Sequence, residues 1–159
     1  MGIGNSLKGD DGVGPYVVGL LRETVNVGAD GTPAAVVEAI DCGTVPENYT
    51  GVLRRLQPEC LVLVDAADMG LEPGSVRTIP AEMIGALGLS THSMPLSMFM
   101  SYVADIVGTT TLVGVQPESM FLGAGMCEAV REAGREVAQM LREGDLSGIP
   151  VLGEDATDP

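Results

Sequence analysis

Residues Cys60 to Val64 (CLVLV) form an unbroken apolar run closed off by Pro58 and Asp65. A strand with no polar residue on either side of its pleat must be covered on both faces, the condition of an inner strand in an α/β sheet. Segments of helix and strand character alternate along the rest of the chain. The expected architecture is therefore α/β and three-layered, a mostly parallel twisted sheet of about five strands with helices on both faces. Residues 1–150 read as a single domain and 151–159 as an acidic tail, frayed from Gly153 onward.

Along the chain, Met1 to Gly4 reads as the end of a first strand, cut very short. A helix is expected over Val13 to Thr24, with Pro15 tolerated in its first turn. Ala35 to Ile40 reads as a strand, and Pro46 to Leu56 as a helix with Leu53 and Leu56 at helical spacing. The turn signal Pro73-Gly74 predicts a short edge strand over Ser75 to Ile79. Pro80 to Leu87 and Pro95 to Ile106 read as helices, Thr110 to Val115 as a strand, and Gly125 to Glu143 as a long closing helix.

An α/β sheet gathers its functional groups just past the carboxyl ends of its strands. Two loops there carry aspartates: GNSLKGDDGVGP, with Asp10 and Asp11, and LVLVDAADMG, with Asp65 and Asp68. His92, the single histidine, lies in the loop THSMPL ahead of a helix. Carboxylates and an imidazole suit a divalent metal with open positions, or acid/base chemistry. Each residue also has a structural reading. One of the Asp10/Asp11 pair suffices to cap the helix, Asp65 can accept loop amides, and Asp68 before Met69-Gly70 suits a turn.

Rival chemistries fit less well. The Gly-rich turn is neither G-x-G-x-x-G nor G-x-x-x-x-G-K-[ST], and its adjacent aspartates would repel phosphate, which weakens the reading as a nucleotide- or flavin-binding α/β module. No G-x-S-x-G elbow supports a serine hydrolase. Cys42 sits in no setting that would lower a thiol pKa and reads as a small buried residue. Met94, Met98 and Met100 with Phe99 read as a packed or partner-facing helix face rather than a thioether metal site.

The net charge of −14, from 8 basic and 22 acidic residues, opposes nucleic acid and anionic membranes. No apolar stretch approaches the roughly 18 residues of a membrane span, and no secretory pattern opens the chain. Three cysteines without C-x-x-C spacing suit a reducing cytoplasm.

GIGNSLKGDDGVGP, DCGTVPEN, LVLVDAADMG followed by PGSVR, THSMPL and LVGVQPES occur in the order seen in another group of proteins. From Gly2 to about Glu143, the chain resembles the nickel-hydrogenase maturation endopeptidases, most of all the subclass serving energy-converting or formate-hydrogenlyase hydrogenases. The resemblance implies a cytoplasmic, monomeric peptidase. Such an enzyme removes a C-terminal extension from the hydrogenase large-subunit precursor once nickel is inserted. It implies that Asp11, Asp65 and His92 are the catalytic and metal-contacting residues, the nickel being carried by the substrate. It also implies that the Asp41-Cys42-Gly43-Thr44 loop lies near the cleft, with Asp41, Gly43 and Thr44 as candidates for substrate recognition. A non-proteolytic nickel-checking chaperone would use the same cleft. Family members carry more apolar residues ahead of the GxGN segment, so the first strand here is expected to be short and the sheet weakened beside it.

Overall fold

The computed structural model describes residues 1–23, 37–89 and 94–154. The apolar run and the aspartate after it form β1 (Cys60–Ala66), followed by β2 (Val76–Thr78) and β3 (Thr109–Val115). β1 pairs in parallel with β3 from Cys60 opposite Thr109 to Ala66 opposite Val115. β2 lies antiparallel on the far side of β3, giving the order β1-β3-β2. Among the described residues five helices accompany the sheet: α1 (Val13–Glu23), α2 (Thr50–Leu56), α3 (Ala81–Ile84), α4 (Leu96–Val103) and α5 (Glu128–Glu143). A 3-10 turn over Pro46–Tyr49 leads into α2.

Side-chain alternation along β1 divides the core. Leu61 and Leu63 join Leu53 of α2, Ile84 of α3 and Leu96, Phe99 and Val103 of α4 on one face. Val64 and Ala66 join Val13 and Val17 of α1 and Val130, Ala133, Val137 and Ala138 of α5 on the other. The spacing of those α5 residues draws one apolar stripe down an otherwise polar helix. The three-layer arrangement expected from the sequence is present.

Among the described residues the sheet has three strands rather than about five. Further segments align with it only through isolated pairs: Gly2 with both Asp41 and Val64, and Val151 with Thr78. The physical reason is the brevity of the first segment. Gly2 N donates to Ile40 O and Ile3 N to Val64 O, so Met1 to Gly4 does insert between residues 40–43 and β1. Its pairing is confined to these isolated bridges, and residues 37–40 form no strand. Ala35 and Val36 of the expected second strand lie outside the described residues, as does Thr24. A cavity of about 610 Å³ opens at this point, lined by Met1, Val37 to Ile40 and Cys60 to Val62.

Four helices are shorter than their sequence patterns, α2 beginning at Thr50 rather than Pro46 and α5 at Glu128 rather than Gly125. At the other end, Leu152 N donates to Thr78 O and Leu152 is buried, so packing continues two residues past the expected boundary at 150. Residues 155–159 of the acidic tail lie outside the described residues. No helix of the described residues is long and apolar enough to cross a membrane.

Candidate active site

The Gly-rich loop is shaped by close approach. A Cβ on Gly14 would lie 2.2 Å from Ile3 O and 2.6 Å from Val64 O, so only glycine lets α1 start against the sheet. A Cβ on Gly4, at φ +135°, would lie 1.8 Å from Asp11 O. These contacts carry Asp11 toward the carboxyl end of β1, where Asp65 stands.

The aspartates of the GDDG segment have separate tasks, and neither is a side-chain helix cap. Asp10 is 1% exposed. Its Oδ2 accepts from Glu118 N (2.8 Å) and Ser119 N (2.9 Å), and its Oδ1 from Cys127 N (2.7 Å). It therefore ties the loop after β3 to the loop before α1, a role that sequence reading missed because its partners lie more than a hundred residues away. Asp11 is half-buried and accepts Asn5 N through Oδ2 at 3.0 Å.

Asp65 is 7% exposed and on the Leu61/Leu63 side of β1, the side covered by α2 to α4. Burial, and after it the negative charge of Asp11, push its carboxyl up to about 7, partly offset by a hydrogen bond from the Ala66 amide. The structure thus brings Asp11 and Asp65 together. His92 lies outside the described residues. Among the described residues no three His, Cys, Asp or Glu side chains are grouped to hold a metal ion. The two carboxylates are oxygen donors of the kind a divalent cation accepts, or an acid/base pair.

Asp68 is the turn residue anticipated: its Oδ1 accepts Gly70 N and the side-chain amide of Gln116. The loop of Asp41, Gly43 and Thr44 lies beside the Gly-rich segment, with Gly4 N donating to Gly43 O at 2.9 Å. Asp41 is exposed and accepts Gly43 N, and Thr44 is also exposed. Cys42 between them is buried, its thiol pushed up to about 12 chiefly by that burial, which removes it as a nucleophile.

The profile of the hydrogenase maturation protease family matches residues 17–143. The chain belongs to that family. The hydrogenase 3 maturation protease of Escherichia coli K12 is 34% identical over 147 residues, covering 92% of this chain and 89% of that one. A putative hydrogenase maturation protease of Methanocaldococcus jannaschii is 34% identical over 119 residues, 74% of this chain and 70% of the relative. A crystal structure of a hydrogenase 3 maturation protease superposes with a TM-score of 0.82 at 31% identity, covering 95% of this chain and 93% of that one. The nickel–iron hydrogenase maturation protease of Thermococcus kodakarensis gives 0.74 at 33% identity, over 89% and 87%. As a hydrogenase maturation protease, the chain is a hydrolase acting on peptide bonds.

Proposed function

We propose that this hydrogenase maturation protease is an endopeptidase that removes the C-terminal extension of a hydrogenase large-subunit precursor after nickel insertion, using the substrate's nickel as its recognition mark. The observation that carries the reading is the coupling of Asp11 and Asp65 at the end of β1, in a chain whose relatives are hydrogenase maturation proteases. In the free protein burial, and after it the charge of Asp11, keep the Asp65 proton in place near neutrality. A dication arriving with the precursor replaces repulsion by attraction to both carboxylates, and Asp65 gives up its proton.

In this reading Asp11, Asp65 and His92 supply open ligand positions to nickel already held by the precursor. Docking sets the scissile bond beside the carboxylates. Water then adds across that bond, leaving a carboxylate on the large subunit and an amine on the released peptide. Asp41, Gly43 and Thr44 contact the precursor from the neighbouring loop. The nickel leaves with the product, and the enzyme works as a monomer in the cytoplasm, where its free cysteines stay reduced.

Intact mass spectrometry of nickel-loaded and nickel-free precursor after incubation with the protein tests this. Loss of a C-terminal peptide from the nickel-loaded form alone is the expected result. A stable complex with unchanged mass would replace the peptidase with a nickel-checking chaperone.

A further inference from the structure

We propose that Leu7, Met120, Phe121 and Leu122 form an apolar lip on which the precursor protein seats beside Asp11, a surface that rests on the reading above and supplies its substrate contact. Phe121 is 79% exposed, Leu122 75%, Leu7 67% and Met120 43%. The other phenylalanine of the chain, Phe99, is fully buried, as is usual for this side chain. Scattered exposed apolar residues need no explanation, but three consecutive ones, on a loop joined by a backbone hydrogen bond to that of a fourth, mark an interaction surface.

The lip is held in place, so its exposure is not that of a loose loop. Gly123 N donates to Leu7 O at 2.8 Å, joining the two loops, and Ala124 N donates to Phe121 O at 3.1 Å. Leu7 N is fixed by Asn5 Oδ1, and Asn5 N in turn donates to Asp11. Asp10, the immediate neighbour of Asp11, clamps Glu118 and Ser119 just ahead of Met120. The lip is therefore continuous with the candidate active site through backbone on both sides.

Its occupant follows from the size of the substrate. Two carboxylates and a metal contact can orient a protein precursor, but affinity for a protein comes from aromatic and aliphatic anchors buried in the interface. An uncharged apolar stretch of the precursor, near the bond to be cut, is the chemistry that covers Phe121 and Leu122. A polar or charged stretch would leave them wet.

The test compares wild type with Met120→Ser/Phe121→Ser/Leu122→Ser, using nickel-loaded precursor, and measures both the Kd of the complex and the steady-state constants. The expected result is a Kd and a KM raised at least about tenfold, with kcat within about twofold. The melting temperature of the free variant should stay unchanged, because the side chains are exposed. Phe121→Leu should retain most of the affinity that Phe121→Ser loses. Values of Kd and KM within about twofold of wild type would overturn the proposal. A wild-type dimer that the triple variant converts to monomer, with KM unchanged, would assign the lip to a second copy and also overturn it. A wild type that binds without cutting would sink the peptidase reading alone, since Kd still judges the lip. Neither binding nor cutting would sink both.

Discussion

Asp65 titrates near neutrality because it is buried at the end of β1 within reach of the charge on Asp11. Its carboxyl is pushed from an ordinary 3.8 to about 7, so between those values the folded protein holds a proton that the unfolded chain has lost. Stability therefore falls as pH rises through that window and is lowest, as far as this group is concerned, above pH 7. Asp65→Asn removes the effect. The variant should be more stable than wild type at pH 8, by up to roughly 4 kcal/mol, and the two should converge near pH 4. Denaturant melts at both pH values check it; a variant less stable than wild type at pH 8 would contradict the assigned burial.

Asp10 is a positioning residue whose loss should be felt twice. Replacing it with Ala leaves the Glu118, Ser119 and Cys127 amides without their acceptor, a cost of about 2–4 kcal/mol. It should also slacken the junction between the loop of Asp11 and the loop of Met120 to Leu122. A lower melting point together with a raised KM is expected. A variant that melts lower but processes precursor with wild-type constants would confine Asp10 to folding.

Cys42 offers a simple elimination. With its thiol held at about 12 and its side chain buried, Cys42→Ala should process precursor at the wild-type rate. A thousandfold loss would reinstate it as a nucleophile, and alkylation of the native protein would then track the loss.

The cavity beside Met1 predicts a gain. Met1 N, its charge disfavoured by burial, donates to Val62 O, and the sheet position beyond it carries no backbone among the described residues. Four apolar residues appended ahead of Met1 would pair with Cys60 to Val62 and residues 37–40, and move the terminal charge outward. After the ordering cost of the added residues, the net should be a few kilocalories, a rise in Tm of roughly 5–10 °C. Differential scanning calorimetry of the two forms reads it directly, and an extended form that melts no higher would show that the cavity does not accept a strand.

Much of this fold was legible because burial leaves a local mark. Cys60 to Val64 could hardly be anything but an inner strand, and α1 and α5 follow from apolar spacing. The two-strand deficit was half visible, in that Met1 to Gly4 is plainly short; its effect on residues 37–40 was not, because a strand exists only by virtue of its neighbour. Within the candidate site, place after strands pointed only to the Asp10/Asp11 and Asp65/Asp68 loops, and the choice of Asp11 and Asp65 within them came from the family resemblance. Asp10 could not be told from a helix cap, since three amides distant in sequence define its role. The lip at Met120 to Leu122 also left no signal, because exposure of an apolar residue depends on what fails to cover it.

The account rests on Asp11 and Asp65 acting together on a nickel-bearing precursor, and the most direct measurement is the rate at which Asp11→Ala and Asp65→Ala release the C-terminal peptide from nickel-loaded precursor. Both variants should lose processing by at least about a hundredfold while remaining folded, and the double variant should be little worse than either single one. Processing at the wild-type rate by either variant would contradict the central claim.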